Sequence, residues 1–284
     1  MLGARCWGKT DIRNSKLENR PSPKRRALGI IVLWASFEFL ISSVGFSQGT
    51  MSGAGTISGA GTAKAAAGGS TARYFNGTSS DYLTRADNAS LRPSTAITLA
   101  CWLRYTSASQ NNYAHPVHKN NGGTTESYQF SQLATDYGHL FFSLNSGAGY
   151  VAADSIVSQG NWYFVVGRWA SGGYLYLDIY NADGTLFKHA ASASTFAGPI
   201  NYSDNPLYIG NDGSLAYGFI GDIAQVYIDN TSLSDADVQT LLHGTQPHSA
   251  SAGYWPLGLG SPDPDQSGNG NDLTVNGTTI VTGP

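Results

Sequence analysis

The chain has little charge, little sulfur and almost no glutamate. Asp, Glu, Lys and Arg make up 12% of its 284 residues, about half of the roughly 25% usual in soluble domains. That shortage argues against a helical bundle, whose exposed faces draw on Glu, Lys and Arg. Cysteine occurs twice, at Cys6 and Cys101. Cys6 lies in a basic leader, and Cys101 sits in the apolar run ITLACWL as a small core residue. Without the leader one cysteine remains and no internal disulfide can form, so cysteine usage leaves the redox compartment open. After the leader Glu126 is the only glutamate. Hydrolysis of a glycosidic bond commonly needs two carboxyl groups flanking it. The Asp pairs present, Asp235 with Asp237 and Asp263 with Asp265, lie in turn-like contexts. From Gln48 onward no Gly-x-Ser-x-Gly elbow and no His-Glu-x-x-His motif occurs. The residues read as non-enzymatic, with glycoside hydrolysis a distant alternative.

What is abundant is glycine, at 35 residues, and tyrosine, at 16, a composition suited to short strands joined by many turns. The formal charge of −3 hides an asymmetry, because residues 1–28 carry eight of the 16 Lys and Arg residues. From Gln48 onward there are 8 basic and 16 acidic residues, a balance of 8 − 16 = −8. Such a domain matches neither nucleic acid nor an anionic membrane surface. Neutral sugars, cations and protein surfaces remain as partners.

Pro23-Lys24-Arg25-Arg26 runs into the apolar stretch ALGIIVLWASFEFLISSVGF, and Gly45 and Ser47 provide a small-residue exit before Gln48. This pattern predicts a secretory signal over residues 1–47 and a secreted or cell-surface location. An uncleaved anchor, the one route to a membrane, and a downstream translation start are the alternatives. Residues 48–72, with the repeat SGAGT-I-SGAGT, read as a Gly/Ala/Ser/Thr-rich linker.

Residues 73–284 read as one all-β domain. In AITLACWLRY, Ile97, Leu99, Cys101, Leu103 and Tyr105 share a face. In YLYLDIY, Leu175, Leu177 and Ile179 alternate with Tyr174, Tyr176, Asp178 and Tyr180, and NADGT then supplies a hairpin turn. NWYFVVGRWA and GHLFFSLNS, apolar on both faces, predict strands covered on both sides. Further strands are expected at YQFSQL, YVAADSI, PLYIG and IAQVYI, and one helix in SDADVQTLLHG, capped by Ser234 and stopped by Gly244. The apolar GYWPL and DLTV predict that the C-terminal segment returns as a strand of the same domain. Many strands, one helix and no βαβ alternation indicate an antiparallel two-sheet β-sandwich of jelly-roll type.

The order of these segments resembles bacterial laminin-G-like domains, which are concanavalin A-like jelly rolls. The resembling elements are YFNGTSSDYL, ITLACWLR, the WYFVV strand, PLYIGNDGS, FIGDIAQVYIDNTSLSDADVQTLL and the tail GYWPLGLGSPDPDQSGNGNDLTV, over residues 73–281. The resemblance implies two stacked sheets, glycan or protein binding on rims and concave faces, and often a structural calcium. The chain departs from the pattern at Ile223-Ala224-Gln225-Val226, where an acidic pair is usual, and at Asn76, where Asp is commoner. Both departures weaken a calcium site. Asp81, Asp212 and Asp222 are its candidate ligands, oxygen donors of the type calcium requires.

Sugar recognition commonly sets aromatic faces against the ring, with polar groups meeting the hydroxyls. Tyr174, Tyr176, Asp178 and Tyr180 on one strand are the first candidates, against the alternative that they pack as a second layer. Tyr113 and His115, with Asn120, are rim candidates. His115 and His118 have metal-ligand spacing, but two ligands do not make a zinc site, and a solvated loop is expected there. The sequence thus predicts a secreted, non-catalytic module for carbohydrate. An adhesive or structural role through contacts with a cell-surface protein is the alternative.

Overall fold

The computed structural model describes residues 70–120, 126–133, 138–153, 157–202 and 204–284. The leader and most of the linker lie outside these residues. In chain order the elements are β1 (Thr71–Asn76), β2 (Tyr82–Arg85), a short 3-10 turn (Ala89–Leu91) and β3 (Ala96–Tyr105). There follow β4 (Val117–Lys119), β5 (Tyr128–Gln132), β6 (Leu140–Leu144), β7 (Gly149–Ala152), β8 (Tyr163–Ala170), β9 (Tyr176–Asn181) and β10 (Leu186–Ala191). The last are β11 (Leu207–Ile209), β12 (Ile220–Asp229), α1 (Asp235–Leu242), β13 (Gly253–Trp255), β14 (Thr274–Asn276) and β15 (Thr279–Thr282).

These strands form two antiparallel sheets. The first runs β10-β9-β8-β3-β12-β1-β15, with β13 also paired to β12, and the second runs β14-β2-β11-β4-β5-β6-β7. The period-two pattern decides which side chains meet between the sheets. Ile97, Leu99, Cys101, Leu103 and Tyr105 of β3 lie in the central core, as do Leu177 and Ile179 of β9. From the second sheet Val117, Tyr128, Phe130, Leu140, Phe142, Leu144 and Val151 face them. The chain is an all-β sandwich of jelly-roll type.

The first sheet is covered on its other face too. Trp102, Phe164, Val166, Tyr180 and Tyr227 pack there beneath Val238, Leu241 and Leu242 of α1. Ser234 starts that helix: its side chain accepts from the Asp237 amide, and Asp237 accepts from the Ser234 hydroxyl. Gln225 ties helix to sheet, accepting from Trp102 Nε1 at 3.1 Å and donating to the Leu241 carbonyl at 2.5 Å. It sits at φ +48° in a bulge of β12, which turns this polar residue toward the helix. The two-sided covering expected for NWYFVVGRWA is thus present in β8. In GHLFFSLNS, every residue of β6 is buried too: one face packs on the core, and on the other Phe141 and Ser143, at 7% and 1% exposure, line a cleft.

The C-terminal segment enters both sheets, β15 beside β1 and β14 beside β2. A buried ion pair holds it. Arg73 of β1, 3% exposed, pairs with fully buried Asp263, whose carboxylate also accepts the Gly258, Leu259 and Gly260 amides. The charge is therefore buried but met by several donors, the condition under which a buried pair is tolerated. β1 begins at Thr71, inside the expected linker, because Ala72 is fully buried.

Candidate functional site

Between the strands of the second sheet, polar residues alternate with the core residues and point away from the core. The register aligns them into a row: His118 of β4 opposite Gln129 of β5, Gln129 opposite Ser143 of β6, and Ser143 opposite Tyr150 of β7. Gln129, Ser143 and Tyr150 of this row line a cleft of about 370 Å³, a size suited to a few sugar rings or another small ligand. Tyr113, Tyr150 and Tyr217 rim it, exposed by 46%, 42% and 38%. Phe141 packs on Tyr150 with ring centres 5.3 Å apart, and Tyr113 and His115 each meet Tyr217 edge-on.

Local backbone features place the rim. The His115 amide donates to the Tyr217 carbonyl at 3.0 Å, joining the loop before β4 to the loop before β12. Asn145 and Ser146 adopt φ of +51° and +55° in the turn between β6 and β7, and the Ser146 hydroxyl accepts the Glu126 amide at 3.0 Å. Gln129 Nε2 donates to Glu126 Oε2 at 3.0 Å and to Ser143 Oγ at 2.9 Å. A carboxylate accepts only, so these bonds fix the orientation of the Gln129 amide. Its Oε1 is buried without a protein partner.

The electrostatics of the cleft come from burial and one neighbouring aspartate. Burial, reinforced by the charge of Asp212, holds the Glu126 carboxyl above its ordinary range. Burial lowers His115 to about 4 despite the attraction of Asp212 and the neighbouring Phe130 backbone, and it holds His118 well below its ordinary value, with repulsion from His115 added. The two rings stack at 4.2 Å with planes 11° apart. The solvated His-x-x-His loop expected from sequence is therefore a buried neutral pair. Hydrogen bonding explains the difference: β4 begins at Val117 and pulls His118 into the sheet.

The first sugar-binding candidates lie elsewhere, on the outer face of the first sheet, and do not form an open platform. Asp178 is 2% exposed and is held by Arg168 Nη2 and His189 Nδ1, both at 2.6 Å. Tyr180 is buried in the cluster beneath α1. Tyr176 is half-buried and stacks on the His189 ring, leaving Tyr174, at 45%, as the exposed member. A helix covering this face is what the strand pattern alone does not disclose. Of the rim candidates, Tyr113 and His115 line the cleft, whereas Asn120 is buried against Asn205. Sequence reasoning missed Glu126, Gln129, Phe141, Ser143, Tyr150 and Tyr217. A readable signal existed in the polar residues at alternate positions of YQFSQ and LFFSL.

The calcium candidates also separate. Asp222 is bound by Arg104 Nε at 2.7 Å, on the first sheet. Asp212 caps its own turn, accepting from the Ser214 hydroxyl at 2.6 Å and from the Ser214 and Ala216 amides at 3.1 Å. Asp81 accepts the Asn76 amide at 3.2 Å. Among the described residues no three His, Cys, Asp or Glu side chains converge, so Asp81, Asp212 and Asp222 do not form one carboxylate cluster.

Residues 75–239 match the model of a family described as the concanavalin A-like lectin/glucanases superfamily, of laminin-G type. Comparison with curated proteins gives no match. Among solved structures the fold is shared with a Bacteroides ovatus protein to which carbohydrate binding is ascribed. It is 16% identical, with a TM-score of 0.54 over 75% of this chain and 60% of that one. The chain thus spans 60% of the length of that protein. A heptameric SAP-like pentraxin of Limulus polyphemus is similar at 12% identity and a TM-score of 0.50, over 75% of this chain and 95% of the pentraxin.

Proposed function

Because the chain belongs to the laminin-G family of the concanavalin A-like lectin/glucanases superfamily, we propose that it is an exported, non-catalytic module that binds glycans in the cleft of the second sheet. The observation that carries this reading is the composition of the cleft: three half-exposed tyrosines around a floor of His, Gln and Ser. Aromatic faces suit the C–H surface of a pyranose, and a few fixed polar groups orient its hydroxyls. The carbohydrate binding ascribed to the Bacteroides ovatus protein supports the same class of ligand. Among the described lining residues Glu126 is the one carboxyl group, and a pair is usual for glycoside hydrolysis. The signal-like leader supports export.

The test is a screen of the full-length protein against an array of neutral, amino and acidic glycans. Saturable binding to one class, with a matching rise in thermal midpoint, is the expected result. Absence of binding to every glycan would sink the reading and favour contacts with a cell-surface protein.

A further inference from the structure

Charge around the cleft is one-sided. Glu126 lines it and Asp212 lies near enough to raise both Glu126 and His115. No Lys or Arg is among the described lining residues. Five of the domain's cations are engaged elsewhere: Arg73 with Asp263, Arg92 and Lys119 with Asp87, Arg104 with Asp222, and Arg168 with Asp178. Glu126 therefore has Gln129 as its side-chain donor and no cationic partner among the described residues. A half-buried carboxylate beside a second carboxylate, with no counter-charge, favours the arrival of a cation.

The hydrogen-bonding capacity of the floor has the same bias. Gln129 Oε1 is a buried acceptor without a protein partner on a side chain 4% exposed. His115 is 6% exposed, and its Nδ1 also lacks a protein partner. With the Glu126 carboxylate, which Gln129 contacts through Nε2, two acceptors stand on adjoining side chains of an aromatic-rimmed cleft. An ammonium group brings three donors and no acceptor, whereas an acetamide brings one donor, one acceptor and no charge. An acidic sugar would meet like charge.

We infer that the cleft selects sugars carrying a free amine, with Glu126 pairing the ammonium and the rim tyrosines holding the pyranose ring. This rests on the glycan reading above and names its ligand class. Glu126 acts as the specificity determinant, and the tyrosines supply the contact shared by charged and neutral sugars.

The test is titration calorimetry of the full-length protein at about pH 6, where an ordinary amine is protonated. The probes are a short glucosamine oligomer, its N-acetylated counterpart, a plain glucan oligomer, a uronate oligomer and an oligolysine. The glucosamine oligomer should bind about tenfold more tightly than either neutral sugar, the size expected of one charge-assisted hydrogen bond. The uronate should not bind measurably, and the preference should shrink as salt rises. Glu126→Gln keeps an acceptor for Gln129 and should bring the glucosamine and N-acetylated affinities to near parity. Equal or tighter binding of the neutral oligomers would overturn the amine preference and leave the glycan reading standing. Persistence of the preference in Glu126→Gln would overturn the role of Glu126. Oligolysine binding as tightly as the glucosamine oligomer would mean that charge alone is recognised. Failure of every sugar to bind would overturn the glycan reading as well.

Discussion

Acid should destabilise this fold through His115 and His118 before it reaches most of its carboxylates. Both rings are neutral and buried in the folded chain, with His115 lowered from the ordinary 6.5 to about 4 and His118 also held well below 6.5. The folded pKa lies below the unfolded one, so the unfolded chain takes up protons first. Stability is then fully present above about pH 6.5 and is lost as pH falls toward 4. Each pH unit across that interval is worth about 1.4 kcal/mol per histidine, so His115 alone removes about 3 kcal/mol. That is a large part of the roughly 5–15 kcal/mol typical of a folded domain. Glu126 and Asp222 act in the opposite sense, because their carboxyls are raised and the folded state takes up their protons first. Burial would raise Asp87 as well, but its bonds to Arg92 and Lys119 hold it low, so its contribution is lost only below the ordinary carboxylate range. Urea denaturation of the full-length protein between about pH 7 and pH 4 measures the sum, with an expected slope of up to roughly 2.7 kcal/mol per pH unit. His118→Leu should about halve that slope. A flat profile across this interval, or the same slope in the variant, would refute the buried neutral pair.

Three further outcomes follow from the same geometry. Asp263→Ala leaves the Arg73 guanidinium buried and unpaired and detaches the loop before β14, and should cost about 3–5 kcal/mol in denaturant stability. Ser234→Ala removes the cap of α1 and should cost about 1 kcal/mol, read as a lower thermal midpoint without loss of the sandwich. Chelator should leave the thermal midpoint where calcium leaves it, because Asp222 is held by Arg104 and Asp212 by its own turn; a calcium-dependent rise would show that other oxygens assemble a site.

The sandwich was legible because period two carries burial directly. β3 coincides with the segment AITLACWLRY, and α1 starts after Ser234 because both ends of a capping box are visible in four residues. The site was less legible for a different reason. Whether the polar side of a strand faces water, a helix or a cleft depends on what crosses over it, and that is set by long-range topology. The alternating tyrosines of YLYLDIY looked like a platform, yet α1, more than fifty residues later in chain order, covers Tyr180, and Arg168 with His189 takes up Asp178. Gln129, Ser143 and Tyr150 come from three different strands and join along one cleft only when their register is known. His118 carried a loop expectation because Pro116 precedes a strand of three residues, too short to read by alternation.

The central claim is that the glycan site lies on the second sheet and not on the first. The most direct measurement is glycan binding by Tyr150→Ala and Tyr176→Ala, each compared with the unchanged protein at matched fold stability. Tyr150 rims the cleft, whereas Tyr176 sits on the far face against His189. Loss of an aromatic sugar contact should weaken binding about tenfold or more in Tyr150→Ala, with Tyr176→Ala binding as the unchanged protein does. Weakened binding in Tyr176→Ala with none lost in Tyr150→Ala would contradict the account and return the site to the strand that carries Tyr174 and Tyr176.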